Sequence, residues 1–217
     1  EVNEKAIYTR HSQGWVDEIF VDLEALVQRV RKAKTDKEIV SIAYSGNVID
    51  VWEAFYTYGI HVDLGSDQTS LHNPWAGGYY PAGISYEEAN TLMGSNPDLF
   101  KEKVKSSLRR HAAIIQKHTD NGTYFFDYGN AFLLEASRAG ADIMAKNGID
   151  FKYPSYVQDI MGPMCFDYGF GPFRWVCASG NPEDLAKTDA IACEILEKIK
   201  KNAPQEIQQQ MSDNIQW

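Results

Sequence analysis

Apolar positions along this chain follow two different periods. In "DLEALVQRVRKAK", Leu23, Leu26, Val27 and Val30 share one face of a 3.6-residue repeat, and Asp22 stands where an N-cap accepts backbone N–H groups. The spacing predicts a helix. "EIVSIAY" (Glu38–Tyr44) is a short β-branched run and predicts a buried strand. "VIDVWEAFYTYG" predicts a helix closed by Gly59, and "IHVDLGS" a second strand. Ser85 precedes "YEEANTLM" as a cap. Pro97 opens "PDLFKEKVKSSLRRHAAIIQKHTDNG", a long amphipathic helix ending near Gly122. "TYFFDYG" predicts a third strand and "NAFLLEASRAGA" the helix after it.

Strand and helix alternate through the first two-thirds of the chain, which predicts an α/β layer with a mainly parallel sheet. From about Asp150 the texture changes. "FKYPSYVQDIMGPMCFDYGFGPFRWVCASG" is rich in aromatics, glycine and proline and predicts packed irregular structure. Asn181 and Pro182 cap a further helix, "EDLAKTDAIACEILEKIKKN". The tail "APQEIQQQMSDNIQW" shows no core face and is expected to fray.

Composition narrows the function classes. The net charge of −9 argues against a nucleic-acid binder, because phosphate contacts need a basic surface. No apolar run approaches the roughly 20 residues of a membrane span. "EVNEKAIYTR" lacks the charged-then-apolar layout of a signal peptide. Cys165, Cys177 and Cys193 are odd in number and form no C-x-x-C pair, so neither a disulfide framework nor a zinc site is expected. A cytoplasmic protein fits, with each cysteine a small core residue.

Ligands of open α/β sheets bind at the carboxyl ends of the strands. Three loops fall there: "SGN" (Ser45–Asn47), "DQTSLHNPW" after the second strand, and "DYGN" (Asp127–Asn130) after the third. Converging on one crevice, they would line a polar, aromatic pocket suited to a nucleotide. Each has a plainer reading: "SGN" as a turn, "DYGN" as an Asx-type cap, His72 as a hydrogen-bonded structural histidine. There is no GxGxxG, P-loop or nucleophile elbow. Arg174, among Phe170, Phe173, Trp175 and Val176, needs an anionic partner. That partner is either an internal carboxylate, Asp159 or Asp167, or a substrate carboxylate gripped bidentately.

The stretches "QGWVDEI", "GNV", "DQTSLHNPWAGGYYPAG", "FFDYGNAFLLEASRAGAD", "YPSYVQDIMGPMCFDYGFGPFRWVCASGNPEDL" and "KTD" resemble urocanase, in the longer form typical of eukaryotes and some bacteria. The resemblance implies a hydro-lyase of histidine breakdown that adds water to urocanate, giving imidazolone propionate. It implies tightly held NAD⁺ acting as an electrophile and not as a hydride acceptor, with the protein orienting the cofactor. Carried over by motif, the cofactor contacts are Asn47, Val48, Gln68, Thr69, Ser70, Leu71, His72, Tyr79, Tyr80 and Tyr128. Glu1 falls where an acid holds the adenosine ribose, while Ala6 replaces a basic residue the family often has. Arg174 becomes the substrate-binding residue, and no metal is implied.

The resemblance also implies a homodimer. It places the family's phosphate loop upstream of Glu1 and its reactive segment downstream of Trp217. The chain is thus expected to lack the first βα unit and any catalytic residue, and to be inactive alone. Residues 1–150 are expected to form a partial α/β, Rossmann-like NAD-binding domain, and residues 151–217 part of a core domain on the substrate side. Two other readings stand beside this one: a catalytically silent NAD-domain fragment or interaction module, and an NAD-dependent dehydrogenase.

Overall fold

The run after Asp22 forms a helix for the expected reason. In the computed structural model, which describes residues 1–129, 131–168 and 177–216, α2 spans Leu23–Asp36. The Asp22 carboxylate accepts from Ala25 N at 2.7 Å, and Lys37 ends the helix in the left-handed conformation. Val27 of α2 packs with Ala54 and Ile60, joining α2 to α3 (Val48–Thr57). Ser85 and Glu88 form a reciprocal capping box on α4 (Tyr86–Ser95). Asn96 caps α5 (Pro97–Asp120), whose first residue is Pro97.

The chain divides into two compact units, Glu1–Phe170 and Gly171–Trp217. In the first, the strands pair in parallel as two short sheets. β1 (Glu18–Phe20) lies on β2 (Ile42–Tyr44), and β3 (Leu64–Asp67) lies on β4 (Tyr124–Asp127), with Asp67 opposite Asp127. The expected parallel pairing is therefore present, among the described residues as two pairs and not as one continuous sheet. The expected strand from Glu38 is shorter, since only Ile42–Tyr44 pairs. Ile39 stands fully in solvent, and Glu38 is drawn into an ion pair with Arg29 at 2.8 Å.

Along β3 and β4 burial alternates. Gly65, Asp67, Phe125 and Asp127 face inward. α5 is the spine of the core behind them. Its Phe100, Val104, Leu108, Ala112 and Ile115 pack with Trp52 of α3, Leu71 and Tyr79 of the long loop, Phe125, and Phe132 and Leu133 of α6 (Phe132–Arg138). His118 fastens α5 to α3, its Nε2 lying 2.8 Å from the Trp52 carbonyl.

Two elements near the start of the chain have no periodic signature in the sequence. α1 (Glu4–Ser12) is polar almost all round and buries only Ile7, so it carries no apolar stripe, and β1 has just three residues. After residue 150 the irregular reading holds. A π-helical turn (Tyr156–Met161), the short α7 (Gly162–Met164) and a 3₁₀ turn (Phe166–Tyr168) follow one another. Ser155 closes the first turn reciprocally, donating N–H to Asp159 at 2.7 Å while its hydroxyl accepts from Gln158 N.

In the second unit, α8 (Pro182–Asn202) begins at the Asn181 cap as expected. The tail does not fray. It forms α9 (Gln205–Gln216), packed on α8. Ile207, Met211 and Ile215 recur every fourth residue, and Met211 is fully buried. The glutamines between them mask that face in a composition reading. The cysteines also diverge: Cys165 is buried, but Cys177 is half-buried and Cys193 exposed. No helix among the described residues is long and apolar enough to cross a membrane.

Candidate functional site

β3 ends in Asp67, whose side chain is almost entirely buried. Its Oδ1 accepts from Thr69 N at 3.1 Å and from Thr69 Oγ1 at 2.6 Å, folding the chain sharply as it leaves the sheet. A 3₁₀ turn at Pro74–Ala76 then brings the loop back on itself. Gly78 makes that return possible. A Cβ there would stand 2.1 Å from the Ser70 carbonyl oxygen and 2.5 Å from that of Asn73.

The returning segment, Gly77–Tyr80, faces the start of α3. Asn47 caps that helix, its Oδ1 accepting from Ile49 N at 3.0 Å and its Nδ2 donating to the Tyr80 carbonyl at 2.9 Å. Beside it Gly46 N donates to the Glu1 carbonyl at 2.9 Å, which brings the first residues to the same place. Tyr80 Oη donates to Asn90 Oδ1 at 2.8 Å, anchoring the loop to α4.

These tethers enclose a cavity of about 370 Å³ at the carboxyl end of β3. Eight of the residues assigned by motif line it: Glu1, Asn47, Val48, Gln68, Thr69, Ser70, Tyr79 and Tyr80. Val2, Gly46, Ser66, Asp67, Gly77 and Gly78 complete the wall. Three other assigned residues do not line it. Leu71 is buried in the core, and His72 is exposed. Tyr128 is half-exposed, stacked on Tyr156 with ring centroids 4.8 Å apart and planes 6° from parallel. Its loop takes the Asx form, Gly129 N donating to Asp127 Oδ1 at 3.2 Å. Arg174 and Asn130 lie outside the described residues.

The cavity is lined by hydroxyls, amides and two carboxylates, those of Glu1 and Asp67, with no Lys or Arg among the described residues. That donor set suits the ribose hydroxyls and carboxamide of a dinucleotide better than its phosphates. A second cavity, of about 750 Å³, shares Val2, Gly46 and Asn47 with the first. It is acidic, with Glu4, Asp50, Glu87 and Glu88 on its walls. Burial raises the Asp50 carboxyl above its ordinary range, although Arg110 pulls the other way. No cluster of three or more His, Cys, Asp or Glu able to hold a metal occurs among the described residues.

Asp67 and His111 escaped the sequence reading. The signal for Asp67 was present, since "GSD" and "FFD" both end a strand in aspartate before a loop. His111 occupies the buried stripe of α5 with Val104, Leu108, Ile115 and His118, a polar residue at a core position. Its Nδ1 lies 3.2 Å from Tyr79 Oη.

Comparison with known proteins agrees with this architecture. The family model described as the urocanase Rossmann-like domain matches residues 1–160, and that of the urocanase C-terminal domain matches residues 163–217. A probable urocanate hydratase of Dictyostelium discoideum is 53% identical over 222 residues, and the mouse urocanate hydratase 51% over 225. The human urocanate hydratase is 49% identical over 225 residues. Each alignment takes in the whole of this chain and 33% of the relative, so the chain spans about a third of the length of the curated relatives it matches. With a urocanase model over residues 1–160 and another over residues 163–217, the chain belongs to the urocanase family.

Proposed function

We propose that this chain supplies the NAD⁺-binding part of a urocanate hydratase. One observation carries the reading: eight residues assigned to the cofactor from separate motifs surround a single cavity at a strand's carboxyl end. Bound there, NAD⁺ would supply an electrophilic ring for the hydration of urocanate. The protein's own part is to hold and orient it. Glu1, Gln68, Thr69 and Ser70 offer hydrogen bonds to ribose and amide groups, and Tyr79 and Tyr80 wall the cavity. His72 and Tyr128 are exposed and stand outside the cavity wall, and both would serve as further contacts to the cofactor.

The domain division we assign is a cofactor domain over residues 1–150 and part of a core domain over residues 151–217. In that second part Arg174 is the fork for the substrate carboxylate, because a planar guanidinium orients a carboxylate in two-point contact. The working enzyme is assigned as a cytoplasmic homodimer.

The test uses the full-length protein. NAD⁺ should copurify with it, and urocanate absorbance should fall on addition without net formation of NADH. Net NADH formation would favour the dehydrogenase reading. Absence of both NAD⁺ and turnover would leave the binding-module reading. Arg174→Lys should raise KM or lower kcat/KM by at least about tenfold with little change in Tm.

A further inference from the structure

The contact beneath the cavity wall is unusual for a core. Tyr79 and His111 are both buried, and the imidazole sits against Phe132 with ring centroids 4.8 Å apart. Burial, helped by the charge of Asp67, pushes the Tyr79 phenol well above its ordinary range. The phenol keeps its proton, and its Oη lies 3.2 Å from His111 Nδ1, the imidazole tautomer deciding which of the two donates. The other ring nitrogen, Nε2, has no hydrogen-bond partner among the described residues.

A buried ring nitrogen without a partner is destabilising, whether it carries the proton or the lone pair. Apolar residues at both 79 and 111 would fill the same space without that cost, so packing alone does not account for a histidine here. The geometry offers another account. α5 runs behind the loop and grips it twice, one helical turn apart. His111 holds Tyr79, and Ser107 Oγ accepts from Ala82 N at 2.9 Å. The segment between those grips carries Tyr80, which lines the cavity, and it follows Gly78, which the loop's return requires.

We propose that His111 is a positioning residue for the cavity: through its Nδ1 it fixes Tyr79, and with it sets the Gly78–Tyr80 wall against the start of α3. It touches no ligand itself. For the identity of the ligand this rests on the NAD⁺ reading, but the positioning of the wall does not.

The experiment compares His111→Leu, His111→Asn and His111→Gln with Tyr79→Phe and the Tyr79→Phe/His111→Leu double variant in the full-length protein. Asparagine places a polar atom near the position of Nδ1, and glutamine near that of Nε2. Amide hydrogen exchange is read without ligand, and NAD⁺ affinity by calorimetry. His111→Leu should speed exchange at residues 78–80 by at least tenfold, with the strands unaffected, and weaken NAD⁺ at least tenfold. Asparagine should restore both to within about threefold, and glutamine should not. The double variant should be no worse than the poorer single variant, because both changes remove one link.

If His111→Leu fails to fold, the asparagine–glutamine difference reads the same link. Equal behaviour of asparagine and glutamine, or exchange that rises evenly across the whole core, overturns the proposal in favour of plain packing. If the unaltered protein takes up no NAD⁺, the cofactor reading fails, and the exchange data alone decide the role of His111.

Discussion

The amide of Asn47 donates to the carbonyl of Tyr80 at 2.9 Å across 33 residues of chain. The same side chain accepts from Ile49 N, so one group both starts α3 and ties the far wall of the cavity to it.

Asn47→Asp should separate those roles. The carboxylate keeps the cap but turns an acceptor toward the Tyr80 carbonyl. We expect weakened NAD⁺ retention with a small change in Tm. Asn47→Ala should lose the cap as well, at about 1 kcal/mol more in urea unfolding. Equal NAD⁺ content in both variants and the unaltered protein would contradict the tie.

Two glycines should respond in opposite directions to the same change. Gly78→Ala would press a methyl group against two backbone carbonyls, with no flexible side chain to give way. A loss of about 1–3 kcal/mol is expected, as for overpacked sites, with exchange quickened in the loop. Gly94 lies in α4 with nothing within 4 Å of its would-be Cβ. Gly94→Ala should stabilise by about 0.5–1 kcal/mol, since alanine loses less conformational freedom in a helix. Thermal unfolding of the pair is the check.

His111 gives the first unit a pH dependence of definite sign. Burial lowers its pKa from the ordinary 6.5, while the charge of Asp67 partly opposes the shift. The unfolded chain therefore binds this proton at a higher pH than the folded one. The associated stability is fully present above about pH 6.5 and is lost as pH falls below it toward the lowered folded value. Between about pH 6.5 and 5, above most carboxylate titrations, unfolding should become easier as acid is added. In His111→Asn that part of the slope should vanish. An unchanged slope would assign it to other groups.

Met211 tests the correction at the end of the chain. It is fully buried in α9. Met211→Ala should cost about 2–5 kcal/mol and reduce helical protection over α9, whereas a frayed tail would be indifferent. Hydrogen exchange of residues 205–216 distinguishes the two.

The sequence by itself determined the local elements and their punctuation. Asp22, Ser85 and Asn181 cap the helices they precede because capping is a bond between residues two or three apart. The stripe of α5 and the inward alternation of β4 are likewise local periodicities. The loops at strand ends were legible as candidates for a ligand site for the same reason, since their polar groups sit in runs.

Only the tertiary structure decided which of those groups share a cavity. Glu1, Asn47 and Tyr80 meet through backbone and amide bonds that span more than 30 residues, and no local pattern encodes such a closure. It also separated Tyr128 from the cavity, because that ring finds Tyr156 after the chain has turned. Met211 could not be read as core among glutamines until α8 stood beside it. His111, read alone, is one polar residue on an apolar stripe. Its meaning comes from Tyr79, 32 residues away, which α5 can reach only once Gly78 has let the loop fold back.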